Sequence, residues 1–546
     1  YSNFWIAVYS CNGSAGSCIG HHSFTGSIGN LGVAVFDGEK GIYIELEKSY
    51  SDDEFSITTQ NGSLYIKGGK RGVIYGGYEL LEIIGCRFFT PTCEKIPTKT
   101  ILEIPEINKR EKPVFEFRDT DYGDIKRYSK FAVMCRINGM WTDIPECLGG
   151  SIRYALGAHS FARLVPHEQY RDTHPEYFSF YNGRRQSIEN DHWQLCLTNP
   201  ELVDIVVENA RKILKQNPDK KILSISQNDN PYNCQCENCL AVDREEGSPA
   251  GTLLRFVNRI AEELEKDYPN LIIDTLAYNY TQAPPIKTVP RHNVCVRLCS
   301  IRCCFMHPLT KCPNKSVWTK TPNLVRDLVE WGKICNRIYI WDYTTNFKFY
   351  VPTYANFGAL RENMRFYVDN HVRGMFPQGN SQSVSGEFGE LRAYLLAKLM
   401  WDPYMSEEEY YTHMDEFLEA YYGEGWTHIR KYIDKTTELA ASGCMNIYEN
   451  PFTAITREEY AENEEFFDEL WAKTEELADE DRKENVRRSA LQWQYLKLML
   501  HPSLEGSKKL LHDVKSRDIL WLERKYEVED ATDLSLSPDH WFDYRY

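Results

Sequence analysis

The chain has 546 residues, 42% apolar and 26% charged, with a formal net charge of −16. Its length calls for two to four domains, and its composition is that of a folded globular protein without low-complexity tracts. The acidic balance excludes a nucleic-acid or anionic-membrane partner, since phosphates would be repelled, and no apolar run approaches the ~20 residues that span a bilayer.

The opening YSNFWIAV lacks an initiator Met, a basic stretch and an apolar core, so the chain reads as one from which an export segment has been removed. Alternating polarity over Gly41–Glu47 and Ser63–Lys67 predicts strands. Apolar residues at helical spacing from Arg71 predict a helix that Gly85 stops. Arg87–Pro91 predicts a short exit strand, and the Lys-, Glu- and Pro-rich stretch from Pro97 to Pro113 a connector. Strand-like runs then follow at Val114–Arg118, Phe131–Ile137, Ala158–Leu164, Lys221–Ser226, Leu271–Ala277, Val294–Cys299, Arg337–Trp341 and Gly374–Pro377. Amphipathic helices between them include Asn199–Lys215, Thr252–Lys266 and Asn323–Cys335. Eight strands alternating with helices over roughly 290 residues predict a (β/α)8 TIM barrel. After Trp401 the pattern is helical over Ser406–Tyr422, Trp426–Ala441, Arg457–Asp479 and Asp481–Leu500, with an extended tail after about residue 520. The expected α/β organisation is a small N-terminal α/β domain over 1–108, the barrel over 109–402, and a helical C-terminal domain with tail over 403–546.

Chemistry in a barrel sits at the C-terminal ends of the strands. There the sequence places Arg118 after strand one, His159 after strand three, Asn228 and Asp229 after strand four, and Tyr278 and Asn279 after strand five. Trp341, Asp342 and Tyr343 follow strand seven; Gln378 and then Glu387 follow strand eight. Carboxylates, amides and aromatic rings together suit a sugar site, and the chain carries 35 Tyr, 25 Phe and 12 Trp. Cleaving a glycosidic bond needs an acid for the leaving oxygen and a group that stabilises the cationic anomeric carbon. In acetamido-assisted hexosaminidases the sugar's own 2-acetamido carbonyl takes the second role. Asn228 as the orienting amide and Asp229 as the acid fit that chemistry, although the pair also reads as an Asx-type cap. Asp342 is a candidate second carboxylate of a conventional or inverting pair, and Glu387 is an alternative acid. Arg118 either forks onto sugar hydroxyls or holds an acidic residue in a structural pair. His159 and Tyr278 are either site or rim.

The 17 cysteines are odd in number and scattered, so they set no compartment. Cys234, Cys236 and Cys239 crowd three sulfurs into six residues. This spacing reads as a structural zinc site whose fourth ligand comes from Cys303, Cys304, Cys312 or His307, or else as disulfides. No cofactor is expected for catalysis.

The run Arg71-Gly-Val-Ile-Tyr-Gly-Gly-Tyr-Glu-Leu-Leu, with Gly85-Cys-Arg-Phe-Phe-Thr-Pro91, resembles the small domain preceding the barrel in family 20 β-hexosaminidases and family 67 α-glucuronidases. His174-Pro-Glu-Tyr-Phe, Cys196-Leu-Thr-Asn-Pro200, Ser224-Ile-Ser-Gln-Asn-Asp-Asn230, Cys234-Gln-Cys-Glu-Asn-Cys239, Leu276-Ala-Tyr278, Trp341-Asp-Tyr343 and Leu399-Met-Trp-Asp-Pro403 resemble a former domain-of-unknown-function family now associated with glycoside hydrolase family 163. That resemblance implies an endo-β-N-acetylglucosaminidase that cuts the chitobiose core of complex N-glycans on glycoproteins with retention. It also implies a Bacteroides-type source, with export to the periplasm or cell surface. The alternatives are an exo-acting glycosidase of the α-glucuronidase or hexosaminidase type, and a non-catalytic glycan-binding protein.

Overall fold

The computed structural model describes residues 31–35, 41–98, 104–185, 193–313, 323–382 and 386–522. The expected leader boundary and the tail beyond residue 522 lie outside these. The N-terminal unit is a five-stranded sheet ordered β1 (Leu31–Val35), β2 (Gly41–Leu46), β4 (Ser63–Gly68), β3 (Phe55–Gln60) and β7 (Asn108–Glu111). A small hairpin of β5 (Arg87–Phe88) and β6 (Glu94–Lys95) follows its helix, Gly72–Ile83. That helix lies so close to the sheet that a Cβ on Gly76 would meet the Ile66 side chain at 2.7 Å.

The next unit is a seven-stranded parallel sheet. In spatial order it runs β8 (Phe117–Arg118), β16 (Val372–Gln378), β15 (Ile338–Tyr343), β14 (Val294–Cys299), β13 (Ile272–Ala277), β12 (Ile222–Ser224) and β9 (Tyr154–Leu156). A second small hairpin, β10 (Phe180–Tyr181) and β11 (Arg184–Arg185), stands outside it. The sheet curls until its edges meet, since the Phe117 ring of one edge strand is 6.0 Å from the Tyr154 ring of the other. Phe117, Ile222, Cys295 and Tyr339 form the packed layer inside. Amphipathic helices such as Glu201–Gln216, Pro249–Glu265 and Leu324–Ile334 alternate with the strands. Ser248 and Asn323 cap the last two by accepting from first-turn N–H groups.

Two strand expectations are corrected. Phe131–Ile137 is not a strand: Ser129–Met134 is helical, with Phe131, Ala132 and Val133 buried. A short apolar run serves a buried helix as well as a strand. The place of an eighth strand is taken by a single residue. Asn138 N donates to Arg118 O at 3.0 Å on one edge, and Ile152 N donates to Asn138 O at 2.7 Å on the way into the other. Ala158–Leu164 is likewise not a strand. The strand comes earlier, at Tyr154–Leu156, and His159 turns the chain with φ of 59° into a helical turn at Phe161–Leu164. Of the expected eight-stranded (β/α)8 barrel, the described residues show seven parallel strands in a curled, barrel-like sheet.

Helices Glu407–Tyr422, Trp426–Ala440, Arg457–Glu462, Glu464–Leu477, Glu480–Leu500 and Leu504–Ser516 make up the C-terminal region. The single helix expected over Arg457–Asp479 breaks at Asn463, which ends one helix and starts the next. No helix among the described residues is long and apolar enough to cross a membrane.

The two α/β units share a buried ion cluster. Asp53 binds Arg71, takes a hydrogen bond from Asn138 Nδ2 at 2.8 Å, and faces Arg118 Nη1 at 3.4 Å. Burial alone would push the Asp53 carboxyl up, but Arg118 and Arg71 hold it below its ordinary value. A depressed carboxylate stabilises the fold fully above its unfolded pKa of about 3.9 and loses that contribution as pH falls from there through its lower folded value. Asp53→Ala, which strands two buried guanidinium groups, is expected to cost about 3–5 kcal/mol in urea unfolding at pH 7. A loss much smaller than that, or one that persists unchanged at low pH, would show that the cluster does not couple the units.

Candidate active site and thiol clusters

Side chains alternate across a strand, so the packed layer inside the barrel fixes which residues reach the axis. On β15, Tyr339 points inward, which puts Trp341 and Tyr343 on the axis side and Asp342 on the other. Asp342 is buried beside Tyr367 and accepts a hydrogen bond from Ser300 Oγ at 2.5 Å. It faces the helices, so the place of a second carboxylate at the anomeric carbon is not open to it. On β8, Phe117 points inward, so Arg118 points out. Its guanidinium donates to Phe115 O at 2.6 Å and Arg136 O at 2.8 Å and pairs with Asp53. Of its two expected roles, the structural pair is the one the geometry supports.

Glu387 is also committed. Arg392 grips it through two bonds, Nη1 to Oε2 at 2.6 Å and Nη2 to Oε1 at 2.7 Å, and Tyr354 N donates to it at 3.1 Å. Both partners are buried. Asn228 is buried with its amide engaged on both sides: Oδ1 accepts from Ala162 N at 3.1 Å, and Nδ2 donates to Trp193 O at 2.5 Å. Its amide fixes the loop that presents Asp229.

Asp229 stands apart from these, because it is exposed. Tyr278 Oη donates to its Oδ1 at 2.9 Å, and Oδ2 makes no hydrogen bond among the described residues. Burial pushes the Tyr278 hydroxyl up, and the Asp229 charge pushes it further, so it remains a donor. The His159 ring stands edge-on to Tyr278 at 6.1 Å. Its Nδ1 lies 2.9 Å from the Gln227 carbonyl, which can only accept, so Nδ1 carries a proton and Nε2 remains for a ligand. Asn279, held at φ of 56°, accepts from Arg302 Nη2 at 2.6 Å.

Across the mouth, Trp341 Nε1 donates to Gln378 Oε1 at 2.9 Å, and the Gln378 amide nitrogen lies 3.5 Å from Asp121. Tyr343 is buried against Phe305 and Phe347, beneath the surface a sugar would touch. Sequence reasoning missed Trp141, an exposed ring stacked at 6.0 Å on Phe376, which in turn meets Trp341 edge-on at 5.2 Å. Three rings thus step from the surface into the mouth. Trp141 is placed by Asp119, which accepts from Met140 N at 2.9 Å and Trp141 N at 3.2 Å. Complete burial pushes the Asp119 carboxyl up to about 7, and the N–H donors of Trp141, Met140 and Thr120 oppose that rise.

The cysteines form two separate groups. Cys234, Cys236 and Cys239 are joined by Cys196 rather than by any residue after strand six, and the four sulfurs lie within 4.8 Å of one another. Cys304, His307 and Cys312, expected as donors to that group, instead gather with Cys444 in a group of their own. Cys303 is in neither. No spacing rule links Cys196 or Cys444 to partners 38 and 132 positions away (234 − 196; 444 − 312), which is why only the local Cys-x-Cys-x-x-Cys run was visible.

A family described as domain of unknown function (DUF4838) matches residues 88–434. The chain belongs to the DUF4838 family. The matched residues span the whole parallel sheet and the loops just described. No curated protein sequence matches the chain. Solved structures similar to this DUF4838 chain include a GH138 enzyme targeting pectin rhamnogalacturonan II, at 10% identity and TM-score 0.38, covering 87% of this chain and 69% of that one. They include also a family 89 glycoside hydrolase from Clostridium perfringens in complex with PUGNAc, at 10% identity and TM-score 0.49, covering 87% and 62%. A β-N-acetylhexosaminidase from Bacteroides fragilis is similar at 12% identity and TM-score 0.36, covering 67% and 81%. The DUF4838 chain thus spans less than two thirds of the family 89 enzyme.

Burial pushes Asp342 up to about 6, against its bond from Ser300. In the unfolded chain it ionises near 3.9, so folding stability falls as pH rises from about 4 towards about 6. Asp342→Asn removes that dependence. The fall in urea midpoint between pH 4.5 and 7 should be smaller for the variant than for the parent, with the buried Asp119 still contributing, whereas a variant profile as steep as the parent's would refute the buried, neutral Asp342.

Proposed function

We propose that this protein is a glycoside hydrolase: an endo-β-N-acetylglucosaminidase cleaving the chitobiose core of complex N-glycans, with retention and acetamido assistance, as in family 163. The observation that carries this reading is the state of the three expected carboxylates. Asp229 alone is exposed; Asp342 faces the helices and Glu387 is locked to Arg392. A site with one accessible carboxylate, beside stacked aromatic rings, suits a reaction in which the substrate supplies its own nucleophile.

Tyr278 holds Oδ1 of Asp229 and leaves Oδ2 for the proton that goes to the leaving oxygen. As the glycosidic bond breaks, the acetamide oxygen attacks the anomeric carbon from the opposite face. An oxazolinium forms, and Asp229, now ionised, takes a proton from the water that opens it. With the Asn228 amide engaged, His159 Nε2 is the acceptor assigned to orient the acetamide N–H. Trp341 and Trp141 provide flat faces for pyranose rings, and Gln378 and Asn279 polar edges for hydroxyls. Export to the periplasm or cell surface is part of the same reading.

The first thiol group is proposed to hold a structural zinc ion. Zn–S bonds of about 2.3 Å in a tetrahedron set sulfurs about 3.8 Å apart, and Cys196 lies 3.7 Å from Cys236 and 4.0 Å from Cys239. Arg185, near Cys234 at 3.9 Å, and the Phe180 N–H at 3.3 Å suit the negative charge of four thiolates. The ion would pin the segment after Asn230 and leave no open position for catalysis.

The test is intact-mass analysis of a glycoprotein carrying biantennary complex N-glycans. The parent protein should leave one N-acetylglucosamine on each asparagine. Asp229→Asn should slow this by about 10²–10⁴, and Asp342→Asn should not. Cleavage by both the parent and Asp229→Asn moves the acid elsewhere. No mass change with the parent removes the N-glycan reading.

A further inference from the structure

The loops after β14 and β15 and the segment after helix Trp426–Ala440 are far apart in sequence, yet they meet. Phe305 N donates to Met445 O at 3.2 Å, and Phe347 N to Ile447 O at 2.7 Å. Where they meet, Cys304, His307, Cys312 and Cys444 converge, with one donor atom from each lying within 4.8 Å of all the others. The first three are buried and Cys444 is half-buried. We propose that these four residues bind a second structural zinc ion, which clamps the C-terminal helical region onto the barrel loop.

Three soft sulfurs and an imidazole are the donors that zinc takes in closed structural sites. The spacing suits that ion. His307 supplies one ring nitrogen, and one donor atom from each of the four residues lies within 4.8 Å of the other three; Cys312 Sγ is 4.0 Å from Cys444 Sγ, and His307 Nδ1 is 3.4 Å from Cys304 Sγ. A tetrahedron with metal bonds of 2.0–2.3 Å puts its donors about 3.5–3.8 Å apart. A disulfide requires sulfurs at about 2.05 Å, half the Cys312–Cys444 separation. Binding zinc displaces the thiol protons to solvent and leaves thiolates on the metal.

The clamp has a consequence for the cleft. Two residues before Cys304 is Arg302, which fixes Asn279 beside Tyr278. Four residues after Cys444 is Tyr448, an exposed ring that meets Phe347 at 6.3 Å. One ion would therefore tie the barrel loop that carries Arg302 to the helical-region loop that carries Tyr448.

The experiment counts zinc by elemental mass spectrometry on the full chain, purified without chelator and dialysed against metal-free buffer. Two ions per chain are expected for the parent, one for Cys444→Ser and one for Cys196→Ser, whose remaining ion sits in the second site. His307→Ala is expected to fall to one ion and to lower Tm by several degrees. Cobalt(II) loaded into Cys196→Ser should give thiolate-to-metal charge-transfer absorption that vanishes when Cys444→Ser is added. The cobalt arm decides the matter even where Cys444→Ser alone folds poorly. A folded Cys444→Ser protein that keeps two ions overturns the proposal. So does a Cys196→Ser protein that binds no metal, or a peptide map showing Cys312 disulfide-bonded to Cys304 or Cys444. None of these readouts depends on glycan cleavage, so the proposal stands or falls apart from the enzymatic one.

Discussion

The structure depends on how a seven-stranded sheet is closed. A barrel of this kind needs continuous hydrogen bonding round its circumference, and here one gap lies between β8 and β9. Asn138 spans it with its main chain, through Arg118 O and Ile152 N. Its side chain adds three bonds, accepting from Arg118 N at 2.8 Å and donating to Glu116 O at 2.9 Å and Asp53 at 2.8 Å. The seam is thus tied both across the barrel and down to the N-terminal domain. The next residue is Gly139, where a Cβ would overlap the Asp119 side chain at 2.1 Å. Only glycine lets the chain pass close enough for Met140 N and Trp141 N to reach that carboxylate. The closure that replaces a strand is therefore also what delivers an aromatic ring to the mouth.

The same economy governs the loops at the other side. The segment after β12 carries Asp229 and then the Cys-x-Cys-x-x-Cys run, so the proposed acid lies only a few residues from a tight group of four sulfurs. Loops with few apolar contacts are the least stable parts of a fold, and a catalytic carboxylate needs a fixed position to within a fraction of an ångström. Cross-linking by thiol groups offers what packing does not supply there. The segment from Cys444 to Ile447 extends that logic to the wall formed by the helical region.

Much of the architecture was legible in the sequence. The strands from Ile222 to Gln378 fall where runs of apolar and β-branched residues stand between turn signals, and Val294–Cys299 has its predicted bounds. The misreadings have physical causes. Phe131 to Val133 are apolar because a helix buries them, and a run of three cannot show its period. His159 interrupts a strand-like run by adopting a left-handed conformation that composition does not reveal. For the candidate site residues the sequence shows the strand that carries each but not its direction. Trp341 and Asp342 are adjacent on β15, and a shift of one residue exchanges their faces; only the inward Tyr339 fixes which of them reaches the axis. The long-range partners, Asn138 to Asp53 or Cys196 to Cys236, join positions whose separation carries no signal in a single sequence.

Glu387 shows how a residue with the right chemistry can be fully occupied by architecture. Its neighbour Phe388 has φ of 42°, a conformation that is costly for an aromatic residue. That strain is held in place from two sides. Arg392, one turn on, binds the Glu387 carboxylate through both oxygens and also donates to Tyr354 O at 3.0 Å and Asn356 Oδ1 at 2.8 Å. The Phe388 ring is buried, stacked on Trp471 at 6.1 Å and edge-on to Phe357 and Tyr422. Trp471 and Tyr422 belong to the C-terminal helices and Phe357 to the barrel layer, so the bend at Phe388 is where the two regions interlock. A carboxylate that leaves such a cluster to transfer a proton would abandon Arg392 without a counter-charge in a dry interior, at a cost of several kcal/mol. The exposed Asp229 carries no such commitment: its Oδ1 takes one hydrogen bond from Tyr278, and no buried cation among the described residues holds it.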